Sequence, residues 1–109
     1  MSGYDPNEES LILSEGADYV QSYTEKGVQW PPGSTAVLSF PTLSGVGPFP
    51  AIVNETAPKG GTASFKIPKA QTTAATIPRG TPYRLHLTKN TGAAAVTYLW
   101  FRGRVERQD

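Results

Sequence analysis

The stretch YRLHLT, residues 83–88, shows the clearest secondary-structure pattern in the 109-residue chain. Three apolar residues alternate there with three polar ones: Tyr83, Leu85 and Leu87 against Arg84, His86 and Thr88. Alternation with a period of two is typical of a strand that buries one face. The stretch therefore predicts a half-buried β-strand whose Arg84 and His86 side chains point away from the core.

Six other stretches carry short, strand-like patterns. They are residues 11–13, 17–24, 35–40, 51–53, 63–67 and 96–105. Turn signals separate the strands at intervals of about ten residues, and WPPG at 30–33 is the strongest because two prolines forbid continued pairing. No alternation of strands with helices is seen. The pattern predicts an all-β fold, either an antiparallel β-sandwich or a small barrel. We favour the sandwich, with about seven short strands in an immunoglobulin-like or jelly-roll-like arrangement.

The length allows one domain, which we place at residues 11–109. Residues 1–10 are polar and acidic without periodicity and predict a flexible acidic arm. Residues 41–50 contain three prolines and two glycines and predict an irregular loop. Residues 69–77 fit one or two helical turns or an irregular segment. Gly103, inside the last strand, predicts a bulge or bend.

The composition excludes several kinds of site. The chain has no cysteine, which excludes a disulfide scaffold, a thiolate zinc site and a thiol nucleophile. The single histidine excludes a metal site built from several histidines of one chain. The first ten residues lack the basic and apolar segments of a signal peptide, and no apolar run is long enough to cross a membrane. We therefore expect a protein made and kept in a reducing cytosol, or released by cell lysis.

The formal net charge of +1 conceals a strong asymmetry. Residues 1–25 hold six acidic side chains and no basic one, whereas residues 79–109 hold six basic and two acidic ones. Such asymmetry can orient head-to-tail contacts between copies. It can equally reflect two ends that attract each other within one fold.

Candidate catalytic residues are few. His86 could act as a general base, but no acidic residue at a convincing position orients it, so a surface histidine is the favoured interpretation. A carboxylate pair could come from Glu8, Glu9, Glu15 and Asp18, but the sequence implies no apolar pocket around them. The glycines at 45–47 and 60–61 lack the context of phosphate-binding loops. The sequence therefore predicts a protein that is not an enzyme, with no cofactor and no metal.

Two further groups of residues suggest binding surfaces. Trp30, beside two prolines, is the candidate exposed aromatic residue for stacking on a sugar, or else a plug over one end of the sandwich. Arg102, Arg104 and Arg107, together with Arg84, predict a basic stripe. The pI of about 8.0 and the acidic N-terminal segment argue against nucleic acid as its partner. A solvated edge or a protein contact is favoured instead.

Four segments also carry a resemblance to a known family. They are LILSEGADYVQSYT (11–24), WPPGSTAVLSF (30–40), IPRGTPYRLHLT (77–88) and YLWFRGRVERQD (98–109). In order, they resemble the first hairpin, the Trp-Pro-x-Gly unit, the Ile-Pro-x-Gly strand and the closing strand of LtfC-like β-sandwich domains. These domains occur in actinobacteriophage minor tail and long-tail-fibre-associated proteins, and they are similar to the N-terminal domain of baseplate upper proteins. The resemblance implies a structural role and no catalytic residue.

We therefore predict a structural protein of a tailed-phage virion, made in the host cytoplasm. It is expected to contact other virion proteins in multiple copies of a symmetric assembly, as a homo-oligomer and as a tail, connector or minor component. The alternatives are a capsid decoration protein, a carbohydrate-binding module for attachment to the host surface, and a small hydrolase that uses His86. No nucleic acid or membrane partner is expected. The predicted assembly contacts are Tyr4, Asp5, Glu8, Glu9, Phe49, Arg102, Arg104 and Arg107.

Overall fold

Two packed β-sheets form a sandwich in the computed structural model, which describes residues 7–90 and 95–109. Its strands are β1 (Asn7–Glu8), β2 (Leu11–Leu13), β3 (Tyr19–Thr24), β4 (Thr35–Ser39), β5 (Phe49–Pro50), β6 (Ile52–Asn54), β7 (Thr62–Ile67), β8 (Pro82–Asn90) and β9 (Ala95–Arg107). One short 3-10 helix, Lys69–Gln71, completes the described elements. The prediction of an all-β sandwich is confirmed.

The larger sheet has six strands in the order β1-β9-β8-β4-β5, with β2 also paired to β9. β1 and β2 run parallel to β9, and the other pairs are antiparallel. The smaller sheet has the order β3-β7-β6 and is antiparallel throughout. β5 and β6 are edge strands of the two sheets and are joined by a single residue, Ala51, so they close one side of the sandwich. The opposite side lies between β2 and β3.

The core contains the apolar face of each long strand. Its largest fully buried side chains are Tyr83, Phe65, Leu11, Leu13, Leu38, Ile67, Ile77, Leu85, Leu87 and Val105. In β8 the three residues predicted to face inward are buried, and Arg84 is exposed. The alternation in residues 83–88 therefore identified the buried face correctly, because neighbouring side chains of a strand point to opposite faces.

Residues 7–10 differ from the predicted flexible arm. Asn7 and Glu8 pair with Phe101 and Arg102, and the Glu9 backbone N–H donates to the Arg102 carbonyl at 3.1 Å. The prediction failed there because backbone pairing along a free strand edge needs no apolar periodicity. Tyr4 and Asp5, two predicted contacts, lie outside the described residues.

The predicted irregular loop is limited to residues 41–48, because Phe49 and Pro50 form β5 on Leu38 and Val37. Phe49 is only 9% exposed, and its ring packs edge-to-face on Phe40 with centroids 6.1 Å apart. The prediction of Phe49 as an assembly contact is therefore wrong. A proline-rich stretch indicated a loop, but an aromatic side chain gains more by burial than by exposure.

Gly103 marks neither a bulge nor a bend. The shift in the β8–β9 ladder lies elsewhere, because Phe101 pairs with Leu85 whereas Leu99 pairs with His86, which leaves Trp100 as the extra residue. At Gly103 a Cβ atom would lie 2.1 Å from the Glu9 carbonyl oxygen. Glycine is therefore needed there for the close approach of a second backbone.

Trp30 is buried, with 2% of its surface exposed. Its ring meets Trp100 edge-to-face with centroids 5.5 Å apart, and its Nε1–H donates to Glu25 Oε1 at 2.8 Å. The prediction of an exposed aromatic platform at Trp30 is wrong. The carbohydrate-binding alternative loses the residue on which it mainly depended.

Candidate assembly surface

Three arginines form an exposed cluster on the outer face of the larger sheet. Arg84 of β8 lies directly opposite Arg102 of β9, and Arg104 follows two residues further along β9, opposite Pro82. We call Arg84, Arg102 and Arg104 the arginine patch. Directly opposed residues in an antiparallel pair have Cβ atoms about 4.5–5.5 Å apart, and like charges at that spacing are destabilising. The patch therefore carries an electrostatic cost within the isolated fold.

That cost is only partly offset inside the chain. Glu8 Oε1 accepts hydrogen bonds from Arg102 Nη2 at 2.8 Å and Nε at 3.1 Å, and Arg104 Nη1 donates to the Gly80 carbonyl at 3.0 Å. The Arg84 guanidinium forms no hydrogen bond or ion pair with any residue in the described part of the chain. Three guanidinium groups thus face one carboxylate, and the surface remains positive.

A shallow depression of about 410 Å³ adjoins the patch. It is lined by Glu8, Pro82, Tyr83, Arg84, Arg102, Gly103 and Arg104. The planar guanidinium donates paired N–H groups that match the two oxygens of a carboxylate or phosphate. The geometry therefore suits an acidic group of a partner. The Arg84 guanidinium, which has no hydrogen-bond acceptor among the described residues, can donate to that group.

Arg107 does not belong to this surface, although we predicted it as a contact. It is 6% exposed; its Nε donates to Asp109 Oδ2 at 2.9 Å, and its Nη1 donates to the Ile77 carbonyl at 3.1 Å. Odd-numbered residues of this part of β9 point inward with Val105, whereas Arg102 and Arg104 point outward. The prediction of a basic stripe is therefore wrong for Arg107, which lies on the opposite face of β9 from Arg102 and Arg104.

The pKa of the Asp109 carboxyl offers a test of the hydrogen bonds that the buried Arg107 side chain makes. Hydrogen bonds from Arg107 and from the Glu15 backbone N–H hold the pKa of the Asp109 carboxyl below its ordinary value. A folded-state pKa that is lower than the unfolded-state pKa stabilises the fold at pH values above the unfolded-state pKa. That stabilisation is lost as the pH falls through the folded-state pKa.

We expect Arg107→Met to raise the pKa of Asp109 toward its ordinary value, as measured by NMR titration of the carboxyl carbon. Arg79→Met is the control and should raise the pKa of Asp109 less, because Arg79 acts on the Asp109 carboxyl through its charge and not through a hydrogen bond. An equal rise in the two variants would contradict the hydrogen bonds assigned to Arg107.

The other acidic residues near the N-terminus are engaged within the chain. Glu15 Oε1 accepts from the Ala74 backbone N–H at 3.1 Å, and Asp18 Oδ1 accepts from that of Lys69 at 2.7 Å. Glu8 binds Arg102, as described above, whereas Glu9 has an exposed side chain. Of these contacts, the ion pair between Glu8 and Arg102 joins the acidic and basic ends within one fold.

His86 is half-buried on the outer face, with Val37 and Leu99 as its cross-strand neighbours. It lines neither of the two depressions described in this section. Within residues 7–90 and 95–109, no three His, Asp or Glu side chains are grouped so that they could hold a metal ion. The same ranges contain no helix long and apolar enough to cross a membrane.

A second depression, of about 320 Å³, lies on the open side of the sandwich between β2 and β3. We call it the edge groove; Tyr19, Gln21 and Tyr23 line it from β3, and Ile12 and Leu13 from β2. The Tyr19 and Tyr23 hydroxyl oxygens are 2.8 Å apart, and burial raises the pKa of both phenols. The sequence analysis missed this groove because it forms between two strands that belong to different sheets. The signal available was the tyrosine repeat at 19 and 23, which places both rings on one face of a strand.

The comparisons with known proteins agree with this architecture. A family described as "LtfC-like, beta-sandwich domain" matches residues 5–108 of the chain. No curated protein matches it.

Proposed function

Because the chain belongs to the LtfC-like β-sandwich domain family, we propose that it is a structural protein of a tailed-bacteriophage particle. The observation that carries the proposal is the extent of the family match, which covers residues 5–108 and thus the whole described sandwich. We place the protein in the tail, as a minor or long-tail-fibre-associated component of an actinobacteriophage virion. In this role the protein acts by binding its neighbours and has no enzymatic activity.

The proposed contact is the arginine patch. The repulsion between like charges held opposite each other on this exposed sheet face is only partly offset by contacts within the monomer. An acidic group of a neighbouring virion protein would remove that repulsion and bind the Arg84 guanidinium. Glu8 lies at the margin of this surface on the β1 side, where it can select a partner of matching charge.

This contact is testable in assembled particles. We expect Arg84→Glu combined with Arg104→Glu to lower incorporation of the protein at least ~10-fold, since about 1.4 kcal/mol of lost binding free energy suffices. Incorporation is measured by quantitative mass spectrometry of purified particles from phage that carry the variant. Neither side chain contributes to the core, so the fold should remain intact by circular dichroism.

Lys59→Glu combined with Lys69→Glu is the matched control. It makes the same change of net charge on two exposed lysines outside the patch and should leave incorporation unchanged. Normal incorporation of the arginine variant would show that the patch is not the contact. Absence of the unmodified protein from particles would overturn the proposed function itself.

A further inference from the structure

The outer edge of β3 is an unprotected strand edge. β3 pairs with β7 on one side, and no strand among residues 7–90 and 95–109 occupies its other side. Its sequence, YVQSYT, contains no charge, no proline and no glycine. Proteins usually protect such edges with lysine, proline, bulges or very short strands. β3 is six residues long and has none of these devices.

The other described edges differ from β3 in this respect. β5 is two residues long and contains Pro50, and β6 is three residues long. β1 and β2 share one edge of the larger sheet, but they are separate strands of two and three residues. Among the described edges, β3 is thus the one that offers six consecutive residues to an incoming strand, and four of them, Tyr19, Val20, Tyr23 and Thr24, have strong β-propensity.

The side chains of β3 are also incompletely covered. Gln21 lies on the same face as the buried Phe65 opposite it, yet its side chain is exposed beside the edge groove. On the other face Val20 is 66% exposed. A strand added at this edge would place its side chains beside Val20 on one face and beside Gln21 on the other. It would also pair the free backbone N–H and C=O groups of β3.

We propose that β3 pairs antiparallel with β3 of a second copy of this chain, with Ser22 opposite Ser22 on the two-fold axis. In this register Val20 lies opposite Thr24 of the other copy, a pair of β-branched side chains. The two three-stranded sheets then become one continuous sheet. The contact is isologous, so each pair except Ser22–Ser22 on the axis occurs twice.

Charge complementarity selects both the partner and the register. The uncharged strand can meet its own copy without repulsion, and its flanking residues carry opposite charges. With Ser22 on the axis, Asp18, which immediately precedes β3, is brought toward the turn after β3 of the other copy, which carries Lys26. Lys26 is exposed and forms no ion pair in the part of the chain that the structure describes. Asp18 Oδ1 accepts from the Lys69 backbone N–H, whereas its other oxygen, Oδ2, has a distant contact with Lys66 at 4.0 Å and can bind a second cation. A register centred on Gln21 would instead place Asp18 opposite Thr24 and form no ion pair.

One existing hydroxyl pair continues across the proposed axis. The Ser22 and Ser64 oxygens are 2.8 Å apart on the outer face of the smaller sheet. The second copy extends this row from its own Ser22 and Ser64. The pairing is a property of the isolated chain and does not depend on the proposed place in a virion, so the two proposals can fail separately.

A single introduced thiol tests the pairing, because the chain has no cysteine of its own. Directly opposed strand residues have Cα atoms about 4.5–5.5 Å apart, within the range that a disulfide bridges. We expect Ser22→Cys to form disulfide-linked dimers under mild oxidation at least ~10-fold faster than Ser64→Cys, since proximity gives millimolar effective concentration at micromolar protein. Ser64 is the matched control because it lies beside Ser22 on the same face but on the central strand β7. Equal rates for the two variants would overturn the proposal.

A charge exchange tests the register. Lys26→Asp should raise the dimer dissociation constant about 5–10-fold, because each dimer loses two ion pairs and gains two repulsive ones. Adding Asp18→Lys in the same chain should restore it, as measured by sedimentation equilibrium. A double variant as weak as the single one, or an unmodified protein that stays monomeric at ~1 mM, would overturn the proposal. If Asp18→Lys prevents folding, as judged by circular dichroism, the cysteine result decides alone.

Discussion

Replacing Trp30 with alanine is expected to lower the free energy of unfolding by about 3–5 kcal/mol. The substitution removes a ring that is 2% exposed and packs edge-to-face on Trp100. It also leaves the Glu25 carboxylate without the indole N–H that donates to it at 2.8 Å. The space cannot refill easily, because Gly61 beneath the ring has no side chain to extend into it. Urea denaturation followed by circular dichroism measures the change.

Trp30→Phe is the control for this prediction. Phenylalanine keeps an aromatic ring in the core but lacks the donor to Glu25, so we expect a loss of about 1–3 kcal/mol. If Trp30→Ala is within 1 kcal/mol of the unmodified protein, the ring is not part of the core. That result would restore Trp30 as a candidate for an exposed contact.

Replacing Gly103 with alanine is expected to cost about 2–4 kcal/mol, through overpacking of about 1–3 kcal/mol and the weakening of hydrogen bonds worth about 1 kcal/mol each. The added methyl would lie 2.1 Å from the Glu9 carbonyl oxygen and 3.1 Å from the Tyr83 ring. That carbonyl accepts a hydrogen bond from the Tyr83 hydroxyl, and the Glu9 N–H donates to Arg102. The methyl therefore forces residues 7–10 away from β9.

Two measurements check this effect. Urea denaturation gives the loss of stability, and amide hydrogen exchange at Glu9 reports whether β1 has separated from β9. Gly16→Ala is the control, and it gives the loss of stability expected when a glycine is replaced without a steric clash. Gly16 has φ +80 and nothing within 4 Å of an added Cβ, so only a backbone cost of about 1 kcal/mol is expected. A Gly103→Ala variant as stable as Gly16→Ala would contradict the proposed close approach.

The candidate assembly surface was only partly predictable. The even-numbered positions of β8 and β9 indicated that Arg84, Arg102 and Arg104 leave the core. Nothing in the sequence showed that Arg84 lies opposite Arg102, because this depends on the register of two strands and on the extra residue at Trp100. The mistaken inclusion of Arg107 came from grouping basic residues by proximity in sequence instead of by strand face.

Burial of the two residues beside prolines was decided by tertiary structure. Trp30 and Phe49 both lie in segments whose composition indicates turns, and turns usually lie at the surface. In the fold, however, the Trp30 ring meets Trp100 and the Phe49 ring meets Phe40. The Trp100 partner of Trp30 is 70 residues away, outside any local sequence window. Phe40 is only nine residues from Phe49, but their contact depends on the pairing of β4 with β5, which the proline-rich composition between them did not indicate.

The sequence by itself determined that the chain is all-β, where most strands lie and which face of β8 is buried. These properties follow from the period-two geometry of a strand and from the cost of exposing apolar side chains, and both act locally. Only the tertiary structure decided which strands pair, that residues 7–13 lie along β9, and that the β3 edge remains open. Backbone hydrogen bonds are the same for nearly every residue, so strand partners are selected by the packing of side chains that lie far apart in the sequence.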